Sequence, residues 1–377
     1  MFKIIFTAVL ILAPAVGFTD PPDQVRDAIQ ESAVEVMIRE LGLRQSPLPS
    51  RDLSGWKPPR KIVAMLDTPD RLPGLEAAAP GVEIVVVKTV DEAVERAQDA
   101  QIVLGFCDDA FFSAAQQLHW IQLYSAGVDR CMTHAGIHTG NKLLTNGQRI
   151  ASPALAEHAI AMMLVLVRGL DIYHANQIKG VWQRETELNR TDHLELAGRT
   201  LLVVGLGGIG TQTARRAHAL GMRVIATRGS RREGPDYVEY VGLSDELNHL
   251  AAQADVVINT APLTDRTRGM FDATFFQAMR PQAFFISVGR GASTVTDDLV
   301  SALEKGSIAG AGLDVTDPEP LPEGHPLWTM PRVIISPHVA GRSDRSRDRL
   351  YLLVQENLRR YVAGEPMLSV VDIERGY

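Results

Sequence analysis

Apolar residues along this chain fall into short continuous runs, separated by stretches in which they recur every three or four positions. KIVAML from Lys61, VEIVVVK from Val82 and AQIVLGF from Ala100 are runs of the first kind, bounded by turn signals and of the length of strands buried on both faces. Further along, Leu201–Val204, Val224–Ala226, DVVINTA from Asp255, AFFISVG from Ala283, IAGAGLDV from Ile308 and Val333–Ile335 repeat that signature. Helical patterns lie between them, at Thr211–Leu220, SDELNHLAAQA from Ser244, ATFFQAMR from Ala273 and TDDLVSALEKG from Thr296. Regular alternation of strand and helix predicts an α/β protein of two Rossmann-like domains with doubly wound parallel sheets.

The flanks and the centre read differently. Residues 1–17 carry Lys3, an apolar stretch from Ile4 to Val16, and small residues at Ala13, Ala15 and Gly17, the layout of a secretory signal peptide. The stretch falls short of the about 20 residues a membrane span needs. It predicts an exported or periplasmic protein with no membrane span in the mature chain; an uncleaved anchor or a misplaced start codon are the competing readings, and without a working signal the location is cytoplasmic. Export sits uneasily with nicotinamide chemistry, and no twin-arginine pair points to export of a folded, loaded protein. From 18 to 60 the chain reads as an N-terminal helix and linker: an amphipathic helix over 21–42 with Val25, Ile29, Val36, Ile38 and Leu41, then a Pro- and Ser-rich arm to Arg60. Residues 151–182 predict one long buried helix, capped by Ser152 ahead of Pro153, with Glu157 and His158 as polar contacts at its end.

The stretch from Arg199 to Arg228 carries the first chemistry. Gly205, Gly207 and Gly210 make G-x-G-x-x-G, with Gly208 and Ile209 inside it, between an apolar run and a helix. Glycines there let the backbone turn tightly, admit a pyrophosphate and bring the helix N-terminus to face it. An acidic residue at the end of the next strand would hold the ribose hydroxyls of NAD. Here Arg228 stands instead, followed by Gly229, Ser230, Arg231 and Arg232, with no carboxylate to repel a 2′-phosphate. The chain is therefore read as preferring NADP(H), with NAD(H) as the alternative.

Composition narrows this only slightly. A length of 377 residues with 45% hydrophobic content suits two domains, and a formal charge of −7 with scattered basic residues argues against nucleic acid as a partner. Two cysteines, Cys107 and Cys131, form no C-x-x-C and no metal-ligand cluster, so two buried thiols are expected, with no disulfide framework and no metal site.

Ligands of doubly wound sheets bind beyond the carboxyl ends of the strands. There the chain places Gly289-Arg290-Gly291, Thr316-Asp317-Pro318-Glu319 and Ser336-Pro337-His338. Arginine to grip a carboxylate, histidine to pass a proton and glutamate to orient the charged imidazole make a workable reduction site. Ser125-Ala126-Gly127 offers small residues whose N–H groups could line an anion-binding turn.

With these pieces assembled, the sequence resembles the D-isomer-specific 2-hydroxyacid dehydrogenase family from about residue 61 to the C-terminus. The likeness rests on GLGGIG at 205–210, APLTDRTRGM at 261–270, SVGRGA at 287–292, GAGLDVTDPEPLP at 310–322 and SPHVAG at 336–341, in order and at matching spacing. The resemblance implies a glyoxylate/hydroxypyruvate reductase-like oxidoreductase moving a hydride between a nicotinamide cofactor and a 2-oxo acid / D-2-hydroxy acid pair. It assigns catalysis to Arg290, Glu319 and His338, substrate binding to Ala126, Gly127, Arg290 and His338, and cofactor contacts to Thr260, Pro262, Asp314 and Gly341. It also implies a split substrate domain, 61–151 and 339–377, around a dinucleotide-binding domain at 152–338, and a homodimer using the region near 152–182. Formate oxidation on the same fold is disfavoured, because that branch has glutamine where Glu319 stands. A catalytically silent dinucleotide-binding or redox-sensing module is the alternative of a different class.

Overall fold

A computed structural model of the chain describes residues 33–140, 142–182 and 193–376. The signal-like segment and the start of the helix expected from residue 21 lie outside the described residues. Helix α1 (33–41) buries Val34, Met37 and Leu41, one stripe at i, i+3 and i+7. Strand β1 (Gln45–Pro49) then pairs antiparallel with Pro366–Leu368, the last strand of the chain. Trp56 donates its indole N–H to the Tyr361 carbonyl and packs its ring on that side chain. The arm expected to be a linker is thus built into the first unit, which begins before Lys61. Prolines do not prevent this, because an edge strand tolerates missing donors.

The first sheet holds β2 (Lys61–Met65), β3 (Glu83–Val87), β4 (Ile102–Leu104), β5 (Trp120–Gln122) and β6 (Leu143–Thr145), all parallel, in the order β3-β2-β4-β5-β6. Val63, Val103, Ile121 and Leu144 are buried on one face; Ile62, Ala64, Ile102, Leu104, Trp120 and Leu143 are buried on the other. That two-sided burial is why these strands read as continuous apolar runs. Helices α2 (Leu72–Ala78), α3 (Val90–Glu95), α4 (Asp109–Ala114) and α5 (Asp129–Met132) connect them. Cys107, in the loop after β4, and Cys131, in α5, form a disulfide with Cα atoms 5.3 Å apart. This corrects the expectation of two free thiols: β4 and β5 are neighbours, so the segments leaving their carboxyl ends bring the cysteines together across 24 positions.

The stretch read as one helix is two, α6 (Ser152–Val167) and α7 (Leu170–Ile178), because Gly169 between them adopts φ +63°. Ser152 lies inside α6 and does not cap it; Ala151 holds that position without a side-chain hydrogen bond. The second sheet follows, with β7 (Thr200–Val204), β8 (Arg223–Thr227), β9 (Tyr240–Gly242), β10 (Val256–Asn259), β11 (Phe284–Ser287), β12 (Gly310–Leu313) and β13 (Val333–Ile335) in the order β13-β12-β11-β10-β7-β8-β9. Strand β9 was not anticipated. Helices α8 (Gly208–Ala219), α9 (Leu247–Ala251), α10 (Ala273–Ala278) and α11 (Thr296–Glu304) are its connections. Leu201 and Val203 join one core and Leu202 and Val204 the other, so β7 is central and covered twice. Finally α12 (Ser346–Ala363) returns to the first sheet, burying Val354, Leu358 and Tyr361 against it, and leads into β14 (Pro366–Leu368).

Candidate active site

The strand order of the second sheet reverses between β7 and β10, and the glycine-rich turn sits there. Gly205 has φ +93°, and a Cβ on it would come within 2.8 Å of the Ala261 Cα, so only glycine lets the two strand ends cross. A Cβ on Gly210 would strike the Gly205 carbonyl. Thr260 clamps the same turn, its hydroxyl donating to the carbonyl of Gly205 at 2.7 Å. Beside Gly207 there is open space, at the N-terminus of α8, where first-turn N–H groups have no helical acceptor. Gly208 and Ile209 open that helix. The cradle fits the pyrophosphate of a dinucleotide.

At the end of β8, Arg228 is half-buried and its Nε is buried without a hydrogen-bond partner. Ser230 and Arg231 are exposed beside it. Arg232 does not join them: it pairs with Glu246 at 2.7 Å and donates to the Tyr240 hydroxyl. The Tyr240 hydroxyl, the Arg232 guanidinium and the Leu243 N–H pull the Glu246 carboxyl down to about 2. A carboxylate is also nearer than the sequence suggested, since Glu233 acts electrostatically on Arg228. An orphaned guanidinium N–H among further arginines suits an added phosphate on the adenosine ribose.

Arg290 leaves β11 between two glycines that pack too closely for side chains. A Cβ on Gly291 would overlap the Thr316 carbonyl, and one on Gly289 would reach the Ala261 oxygen at 2.8 Å. The guanidinium crosses to the first sheet, where Nε donates to Asp129 at 3.2 Å and a Cβ on Gly127 would fall on Nη2. The Ala126 carbonyl accepts from Asn146 at 2.7 Å, while among the described residues the N–H groups of Ala126 and Gly127 meet no acceptor. Two free N–H groups beside an arginine suit a carboxylate.

His338 follows the end of β13. Its Nδ1 meets Glu319 Oε1 at 2.6 Å, and both side chains are close to half exposed. The residue adopts φ +53°, a conformation costly enough outside glycine to need support from its surroundings. Asp314 supplies it: 2% exposed, its carboxylate accepts from the Val339 and Ala340 N–H groups at 2.9 and 3.0 Å and from the Ser336 hydroxyl at 2.6 Å. His158 in turn donates from Nε2 to Ser336 at 2.8 Å. Glu157, by contrast, pairs with Arg216 on α8.

The structure therefore brings Arg290, Ala126 and Gly127 together, and separately joins Glu319, His338 and Asp314. Pro262 lies exposed on the loop after β10, and Gly341 packs beside Ala151 and Leu155. The sequence did not point to Asp129, nor to the support given by Ser336 and His158 to Asp314. A serine two residues before His338, at a strand end, was the available signal.

Comparison with known proteins identifies the family. A family model described as D-isomer specific 2-hydroxyacid dehydrogenase, NAD binding domain, matches residues 160–340. The human glyoxylate reductase/hydroxypyruvate reductase is 33% identical over 261 residues, 68% of this chain and 78% of that protein. A D-isomer specific 2-hydroxyacid dehydrogenase family protein of Aeromonas salmonicida superposes with a TM-score of 0.70 at 30% identity, over 83% of this chain and 99% of that one. The NADPH-dependent glyoxylate/hydroxypyruvate reductase of Sinorhizobium meliloti, solved with NADP and sulfate, gives 0.71 at 28% identity over 84% and 100% of the two chains. By this likeness in sequence and fold the chain belongs to the D-isomer-specific 2-hydroxyacid dehydrogenase family, NAD(P)-dependent oxidoreductases of 2-oxo and D-2-hydroxy acids.

Proposed function

We propose that the protein is an NADP(H)-preferring reductase of small 2-oxo acids of the glyoxylate and hydroxypyruvate class. The observation that carries this reading is the His338–Glu319 pair in the same fold as Arg290 at the Ala126–Gly127 turn. The free N–H groups of the turn and the Arg290 guanidinium bind the substrate carboxylate, and the same arginine polarises the adjoining carbonyl. Glu319 accepts the Nδ1 proton of His338, fixes its ring and leaves Nε2 to give a proton to the carbonyl oxygen. Reduced nicotinamide, when bound, supplies the hydride. An intact set of these three residues disfavours the catalytically silent module.

The orphaned Arg228 Nε supports NADP(H) over NAD(H), and the named relatives support the substrate class. Leu170, Ile178, Val181 and Trp182 expose a patch of large apolar side chains at and beyond α7, and we assign it to the partner face of a homodimer. Export of the protein is favoured by the Cys107–Cys131 disulfide, a bond that persists in oxidising compartments. The test is steady-state nicotinamide oxidation with NADPH and NADH over glyoxylate, hydroxypyruvate, pyruvate and phenylpyruvate. Turnover of glyoxylate or hydroxypyruvate with NADPH ahead of NADH is expected; saturable cofactor binding with every acid inert would overturn the reading in favour of the silent module.

A further inference from the structure

We propose that the N-terminal arm and the interdomain crossover contribute to the cofactor site, Arg44 and Arg149 joining Arg228 and Arg231 around the 2′-phosphate of NADP(H). The inference rests on the NADP(H) reading above and deepens it, because Arg44 belongs to a segment outside the part of the chain that resembles the family.

Contacts lead from the arm to the glycine-rich turn without a break. Arg44 follows the corner that ends α1, and its carbonyl accepts from the Ser369 N–H at 2.9 Å, so its backbone is tied to the C-terminal strand pair. The Arg149 guanidinium donates from Nη1 to the Leu41 carbonyl at 3.2 Å, and a Cβ on Gly42 would meet that nitrogen at 3.2 Å. The stem of Arg149 then passes Gly208, where a Cβ would lie 2.7 Å from Cγ. Arg149 thus spans from the end of α1 to the first residue of α8.

The charges converge at the same place. Burial pushes the Arg149 guanidinium below its ordinary range, and Arg44, Arg228 and Arg231 push it further. Arg228 is lowered by burial, then by Arg231 and Arg44, with Glu233 alone acting against them. Arginine does not escape such repulsion by losing its proton. Four guanidinium groups close enough to repel, opposed by one carboxylate, are neutralised best by a dianion. The buried Arg228 Nε without an acceptor supplies the independent sign that a group is to be received there. The location selects which phosphate: Arg228 stands at the end of β8, beside the ribose, whereas the pyrophosphate lies over the Gly207 turn.

Nicotinamide fluorescence titrations of the full-length protein, its Arg44→Ala variant and its Arg228→Ala variant, each with NADPH and with NADH, test the inference. Thermal melts without cofactor accompany them. Arg44→Ala should weaken NADPH about tenfold while NADH stays within about twofold, the loss of one charge-assisted contact to phosphate; Arg44→Lys should recover part of it. The ligand-free variant should melt no lower than the parent, since a repulsive charge has gone. Unchanged NADPH affinity in Arg44→Ala, with Arg228→Ala still selective against NADPH, overturns the role of the arm and leaves the cofactor reading standing. Equal weakening of both cofactors also overturns it, because Arg44 would then act through the fold or the pyrophosphate. If the parent binds both cofactors alike and Arg228→Ala changes neither, the NADP(H) reading fails and takes this inference with it.

Discussion

Asp129 illustrates how much of the site depends on single side chains far apart in the chain. It accepts a hydrogen bond from Arg290 Nε while the Gly289 carbonyl accepts one from Nη1, which leaves Nη2 beside Gly127. The aspartate is therefore a positioning residue that aims the guanidinium at the carboxylate turn. Asp129→Ala should raise KM for the oxo acid about tenfold, with kcat falling less and NADPH affinity unchanged, the pattern of lost ground-state binding; unaltered KM in steady-state kinetics would show that Arg290 needs no such support. The placement of Arg290, Glu319 and His338 beyond strand ends was legible in the sequence, because the apolar runs that precede them pack on both faces. Asp129 was not, since its partner is 161 positions away and their meeting depends on how the two sheets face each other. Arg44 and Arg149 were hidden for the same reason.

Among the elements, the two parallel sheets were legible because burial on both faces leaves continuous apolar runs. What was not legible came from connections. Gly169 splits the expected long helix through one left-handed residue, and the arm acquires a strand only because Pro366–Leu368 lies beside it. The disulfide belongs to this scale, closing a 24-residue separation between the loop after β4 and α5. It also anchors the helix that begins at Asp129. Replacing both cysteines by serine should cost about 2–4 kcal/mol of stability, seen as a lower melting temperature that reducing agent no longer changes. An unmodified protein whose melt is indifferent to reducing agent would contradict a formed bond.

At the scale of the molecule, two sheets are joined by a crossover into α6 and by the return of α12, and Arg290 beyond a strand of the second reaches Asp129 of the first. The return is held to the first sheet by Tyr361, stacked on Trp120 and donating its hydroxyl proton to Nδ1 of His119 at 2.9 Å. The other ring nitrogen of His119 donates to the Ser54 carbonyl at 3.1 Å, so the neutral ring is satisfied at both ends. Burial lowers the His119 pKa from its ordinary 6.5, and the unfolded chain therefore takes up this proton first as pH falls. Stability present above that value is lost on acidification towards the folded pKa. Denaturant unfolding at about pH 7.5 and about pH 5.5 should show a smaller loss for His119→Gln than for the parent, and equal losses would contradict this origin. The central claim, that His338 is the proton donor of a working reductase, is tested most directly by single-turnover oxidation of bound NADPH with glyoxylate or hydroxypyruvate in the parent and in His338→Ala. The account predicts a fall of about 10²- to 10⁴-fold in that rate with NADPH affinity unchanged; a variant that turns over at the parental rate would contradict it.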